Sequence, residues 1–220
     1  MDPSAHAVFE DADLLVLQKP AGLLCVPGRG ADKQDCLSAR AQQRWPGSLV
    51  VHRLDQATSG LVLMARHAEA QRRLSQAFAE RRVTKRYEAV VRGKMHATGD
   101  PAAAPPGWQL IDLPIAADWQ RRPLRVIDRH AGKPSQTHWR AIAWDEATDT
   151  TRVELAPLTG RTHQLRVHMA AVGHAILGDT LYAAPATQAL SPRLLLHASS
   201  LAFTHPFTGE AVAFTCPASF

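Results

Sequence analysis

Three features of the sequence predict an α+β fold. Short β-rich runs outnumber helical ones, Pro/Gly turns punctuate them, and no internal repeat or low-complexity tract replaces them. Val8 to Asp11 and Leu14 to Gln18 read as two strands around an acidic turn, and Lys19-Pro20-Ala21-Gly22 stops the second. Pro27-Gly28-Arg29-Gly30 is a plain loop, since it lacks the Lys-Ser or Lys-Thr ending of a phosphate-binding P-loop. Leu49 to Leu54 and Leu61 to Ala65 are strands joined by the polar segment Asp55 to Gly60, so Asp55 is expected at a strand end. From His67 to about Arg82, Ala70, Leu74, Ala77 and Phe78 recur at helical spacing while Arg72, Arg73, Glu80 and Arg81 fall elsewhere, an amphipathic helix with a basic outer face. Lys85 to Arg92 returns as a strand.

Met95 to Trp108 is rich in Ala, Pro and Gly and has no periodicity, which marks a mobile loop or a boundary between lobes. Further β-rich runs follow, notably Gln136 to Trp144 and Thr151 to Ala156. Thr159 to Gln164 then leads into a helix that Gly173 can end, with Leu165, Met169 and Val172 on its buried side. Leu194 to Phe203 and Ala211 to Thr215 close the chain as a hairpin around His205 to Glu210.

At 220 residues and 45% hydrophobic content, the chain can bury one substantial core or two small lobes, which argues against disorder. No stretch approaches the roughly 20 apolar residues of a membrane helix, and the first residues do not read as a secretory leader, so a cytoplasmic protein is expected. Cys25, Cys36 and Cys216 lie far apart, which fits neither a disulfide framework nor a structural zinc site; they read as reduced structural thiols. No compact His/Asp/Glu cluster is visible in the spacing, so no metal is expected. The net charge of +5 is unevenly placed: ten Lys/Arg face four acids between His52 and Lys94, as a phosphate-facing surface requires.

Two polar segments follow apolar runs: His52-Arg53-Leu54-Asp55 with Thr58-Ser59-Gly60, and Thr159-Gly160-Arg161 with His163 and Gln164. An Asp in a turn is by itself most often a cap. Taken with Lys85-Arg86-Tyr87, Gly178-Asp179, Tyr182, Leu196-His197-Ala198 and His205-Pro206, however, the order of motifs resembles the RluA family of pseudouridine synthases over nearly the whole chain. Leu24 to Arg29, Asp112 to Ile115, Gly132 to Thr137 and Ser191 to His197 resemble the dual-specificity subgroup, which modifies large-subunit ribosomal RNA and a tRNA anticodon stem-loop. Met95 to Trp108 is longer than that pattern leads one to expect.

The resemblance implies a single catalytic domain over residues 1–220, without an additional N-terminal RNA-binding domain. Its mixed, largely antiparallel sheet would have flanking helices and two lobes around a cleft. It implies a cofactor-independent enzyme, with a monomer as the default. The reaction detaches uracil from its sugar, turns it and rejoins it through carbon. Asp55 is the implied catalytic carboxylate, and the residue type admits attack on the sugar, attack on the base or abstraction of a sugar proton. Arg161 is the implied guanidinium that keeps such a carboxylate ionised, and Tyr87 the aromatic group that stacks on uracil and assists proton transfer. Arg53 would fill the gap left by the flipped base. Arg81, Arg82 and Lys85, with Arg72, Arg73 and Arg86, would contact RNA phosphates. His52 and His163 would serve on the RNA-binding side as hydrogen-bonding groups rather than as acid–base catalysts.

Overall fold

The computed structural model describes residues 5–96 and 103–220. In chain order the elements are β1 (His6–Glu10), β2 (Leu14–Lys19), α1 (Leu37–Arg44), β3 (Leu49–Val50), β4 (Ser59–Ala65), α2 (Ala68–Ala79), β5 (Thr84–Arg92) and β6 (Gln109–Asp112). They continue with β7 (Ile115–Ala117), β8 (Arg125–Ile127), β9 (Gln136–Asp145), β10 (Thr150–Pro157), α3 (Gln164–Ala171), α4 (Pro185–Gln188), β11 (Leu196–Thr204) and β12 (Ala211–Thr215). Strands outnumber helices, and the α+β class holds. The chain divides into two compact units. Residues through Lys85 join His197–Ser219 in the first, and Arg86–Leu196 with Phe220 form the second.

In the first unit the strand order is β1-β2-β4-β11, with β12 on β11 and β3 on β4. The pairing of β4 with β11 is parallel and the others are antiparallel. All seven residues of β4 are buried, as its unbroken apolar sequence requires of a strand covered on both faces. Leu61, Leu63 and Ala65 of β4 meet Ala70, Leu74 and Ala77 of α2, which are the positions that the helical period selects. A buried leucine such as Leu74 contributes about 1.5–3 kcal/mol.

His67 starts α2: its Nδ1 accepts the Ala70 N–H at 3.3 Å, and its Nε2 donates to Asp13 at 2.9 Å. The far end closes with Arg82 N–H on the Ala77 carbonyl and Arg81 N–H on that of Phe78, and Arg81 takes φ +59°.

In the second unit β5-β10-β9-β6 are antiparallel neighbours and β7–β8 is a separate hairpin. Helix α3 is buried over Gln164 to Met169.

Four features differ from the sequence expectation. The strand expected over Leu49–Leu54 stops at Val50. Beyond it, the Leu63 N–H donates to the His52 ring at 2.9 Å instead of to a strand carbonyl. Helix α1 was not foreseen; Cys36 caps it, accepting the Ala39 N–H on sulfur. Val172, expected on the buried side of α3, is exposed, because the helix ends at Ala171. Of Met95–Trp108, residues 97–102 lie outside the described residues; the rest belongs to the second unit, so the boundary between units falls at Lys85–Arg86 and not in this stretch, which contributes no strand or α-helix over 103–108. The three cysteines are free and buried, as expected.

Candidate active site

Asp55 belongs to the first unit and is half-buried at the head of a turn closed by Thr58 N–H on its carbonyl at 3.1 Å. Two clamps hold that turn. On one side Lys19, fully buried, donates from Nζ to the carbonyls of Pro20, Leu23 and Gln56 at 2.9, 2.7 and 2.9 Å. The Gly22 N–H also donates to the Gln56 carbonyl, at 2.9 Å. On the other side Gly60, at φ +112°, lies so close to the Ala198 backbone that a Cβ would come within 2.3 Å of its carbonyl oxygen. Next to it Ser59 Oγ meets His197 Nδ1 at 2.8 Å. His197 Nε2 faces the Cys216 carbonyl and must donate to it, so Nδ1 accepts the Ser59 proton.

Burial lowers Lys19 to about 8, with Cys25 and Asp55 opposing the shift. At neutral pH it remains an ammonium, a fixed positive charge felt by Asp55. The sequence reading took Lys19 as part of the Lys19-Pro20-Ala21-Gly22 turn that stops a strand and gave it no role at the site. Its burial depends on Gln56, 37 residues away, which no local pattern announces.

His52 stacks on Phe78, with ring centroids 4.5 Å apart, and its Nε2 accepts the Leu63 N–H. That bond requires a lone pair, so the neutral ring carries its proton on Nδ1. Desolvation, then Lys85, lowers its pKa to about 3. Arg53 is exposed and Leu54 buried, so the chain alternates into Asp55.

In the basic segment, Arg72 and Arg73 both pair with Glu69 and Arg82 pairs with Glu80. Arg81 is exposed and makes no ion pair among the described residues. Lys85 is pushed down by burial and by Arg81.

Tyr87, Arg161 and His163 belong to the second unit. Tyr87 is half-buried on β5 opposite Leu155. The turn that carries Arg161 is built on Gln164, whose Oε1 accepts from Thr159 Oγ1 at 2.7 Å and from the Arg161 N–H at 3.0 Å. Its Nε2 donates to the Gln136 carbonyl and Thr137 Oγ1. Arg161 itself is exposed, with Nε directed at the Pro134 carbonyl.

His163, at φ +58°, meets the Tyr182 hydroxyl at 2.6 Å. That hydroxyl also accepts the Arg125 N–H at 2.9 Å. Behind it Arg166 and Asp179 form a buried bidentate pair at 2.8 and 2.6 Å, and Asp179 also accepts the N–H groups of Leu181 and Tyr182. Sequence reasoning missed this pair; only the spacing of Gly178-Asp179-Tyr182 hinted at it.

The fold also assembles a cluster that linear spacing hides: Asp11, Asp13 and His205 place ligand-type atoms within 4.8 Å of one another. Asp11 caps its own turn and meets His205 Nε2 at 3.1 Å, while Asp13 meets His67, so protein hydrogen bonds already engage all three. No helix of the described residues is long and apolar enough to cross a membrane.

Residues 13–171 match the family model for RNA pseudouridylate synthase. The chain is 43% identical over 219 residues to the dual-specificity RNA pseudouridine synthase RluA of Escherichia coli, covering 100% of this chain and 95% of that protein. The protein of the same name from Yersinia pestis is 44% identical over 213 residues, covering 97% and 98%. Among solved structures, human RNA pseudouridylate synthase domain containing 1 superposes with a TM-score of 0.78 at 31% identity, covering 98% of this chain and 84% of that one.

Proposed function

The chain belongs to the RNA pseudouridylate synthase family, and from that premise we propose that Asp55 is the carboxylate that carries out the isomerisation of uridine to pseudouridine. The chain is an RNA pseudouridine synthase, an isomerase acting on RNA. The observation that supports Asp55 is its mounting: a turn clamped by the buried Lys19 ammonium on one side and by the Gly60–Ala198 close approach on the other. A carboxylate held in fixed geometry near a buried ammonium is aimed and electrostatically supported, as covalent or electrostatic catalysis at a sugar requires. Tyr87 and Arg161 are assigned to the same reaction by the motifs they occupy, and Arg53 to the space left by the flipped uridine. Arg81, Arg82 and Lys85 contact phosphates. His52 and His163 stand behind these contacts as hydrogen-bonding groups. Residues 1–220 act as one catalytic domain, as a monomer in the cytoplasm and without a cofactor.

The substrates are a uridine in large-subunit ribosomal RNA and one in a tRNA anticodon stem-loop, a reading supported by the dual-specificity relatives. The test is a pseudouridine map of total RNA from cells lacking the gene, complemented with wild type or with Asp55→Asn. Wild type restores sites in both RNA classes and Asp55→Asn restores none, while binding a stem-loop RNA within about threefold of wild type. Restoration of one class removes the dual specificity; turnover by Asp55→Asn within tenfold of wild type removes the assignment of Asp55.

A further inference from the structure

The tip of the β7–β8 hairpin presents Trp119 to solvent at 72% exposure. A large indole left in water gives up the burial that dominates aromatic energetics. Its turn is nevertheless well built: Asp118 accepts the N–H groups of Gln120 and Arg121 at 3.2 and 3.0 Å and pairs with the Arg121 guanidinium. The Arg122 guanidinium stacks on the indole at 4.1 Å from its centroid.

The hairpin forms one wall of a cleft of about 620 Å³, and Gly160-Arg161-Thr162 with Lys133 contribute to the rest. That volume lies in the range that holds a ligand of nucleotide size. Arg125 lines the cleft, and its Nε is buried without a hydrogen-bond partner among the described residues. The one carboxylate in the lining, Asp128, is occupied by the N–H groups of His130 and Ala131 at 2.9 and 3.0 Å. Between Asp118 and Lys133 there are five Lys/Arg against two Asp.

We propose that this cleft is a second nucleotide subsite: an unstacked nucleotide of the substrate RNA, other than the target uridine, lays its base on Trp119 and its phosphate against Arg125 and Lys133. The proposal rests on the RNA-synthase reading. A protein partner would bury an anchoring tryptophan among apolar neighbours. Here the cleft sets Arg125, Lys133 and Arg161 beside Ile115 and three alanines, and guanidinium and ammonium groups lining a cleft call for an anionic acceptor. An aromatic face beside basic side chains is the arrangement by which proteins hold single-stranded bases.

The test measures affinity for a fluorescein-labelled tRNA anticodon stem-loop in wild type, Trp119→Ala and Trp119→Phe, with loop nucleotides replaced one at a time by abasic residues. Trp119→Ala should weaken binding about 5- to 150-fold, the equivalent of one base–aromatic stack, with an unchanged salt slope. Trp119→Phe should recover most of the loss. One abasic position should weaken wild type yet leave Trp119→Ala unaffected, which identifies the stacked base.

Trp119→Ala binding within twofold of wild type, or no abasic position coupled to Trp119, would overturn the subsite. Equal losses in the Ala and Phe variants together with a lowered melting temperature would assign Trp119 a structural role and overturn it as well. Tritium release from uridine-labelled RNA by wild type separates the two readings. Turnover without coupling removes the subsite alone, whereas coupling without turnover removes the synthase reading and keeps the subsite.

Discussion

His52 is a neutral residue by construction, because the Leu63 N–H occupies its Nε2 lone pair and Phe78 covers its ring. In the unfolded chain the imidazole titrates near 6.5 and in the folded chain near 3, so between these values the unfolded chain binds the extra proton and stability falls as pH falls. The contribution is complete above pH 6.5 and declines below it, by about 1–2 kcal/mol at pH 5. His52→Gln, whose amide oxygen can accept the same N–H, does not titrate. Between pH 7 and 5 its unfolding free energy from urea titration should fall less than that of wild type by this amount, and equal falls would place the wild-type ring in solvent. At this scale the sequence showed which residues to watch, since His52, Arg53 and Asp55 fall within four consecutive positions. What it hid was the support beneath them. Lys19 is secured by a carbonyl 37 positions away, and His197 reaches Ser59 across 138 residues; no spacing rule joins such pairs.

The end of α2 shows a local conflict between stability and placement. Arg81 occupies the left-handed position that glycine ordinarily fills, and as a non-glycine residue it bears a backbone cost of about 1 kcal/mol. The side chain it places there is exposed and without an acidic partner among the described residues, whereas Arg72, Arg73 and Arg82 are paired. Arg81→Gly should therefore raise unfolding stability by up to about 1 kcal/mol, less the extra freedom of glycine in the unfolded chain. It should also weaken RNA binding and reduce the salt slope by about 0.7–0.9. Denaturant titration and RNA binding on the same preparation check both halves; unchanged affinity with raised stability would leave Arg81 without a role in RNA contact. Helix α2 was legible because its apolar spacing is a property of the segment alone. Helix α1 was not, since Leu37 and Ala41 are too few to set a period. Helix α3 was legible in position but not in burial: Arg166 and His168 look like a polar face until Asp179, Thr137 and the Leu113 carbonyl supply their partners.

For the molecule as a whole, the net charge of +5 is less informative than which charges are available. The sequence located the excess between His52 and Lys94, but Glu69 and Glu80 engage Arg72, Arg73 and Arg82 within that segment. It gave no weight to Asp118–Lys133, whose basic residues become a cluster only when the β7–β8 hairpin forms and Lys133 pairs back onto Ile115. Arg81, Lys85, Arg125 and Lys133, the residues assigned to phosphates that lie outside these pairs, make no ion pair with an acidic group among the described residues. Four such contacts, each releasing about 0.7–0.9 counterions, predict a log K versus log salt slope near −3 for stem-loop RNA. Affinity should then fall about 60-fold between 50 and 200 mM salt. The slope also reports how the paired arginines behave. Exposed ion pairs contribute only about 0–1 kcal/mol each, so phosphates could displace Glu69 and Glu80 and recruit Arg72, Arg73 and Arg82, steepening the slope beyond about −5. A value near −3 means that the intramolecular pairs persist in the complex. A value shallower than −1 means that the basic surface does not carry the RNA, and that affinity resides in stacking and base contacts.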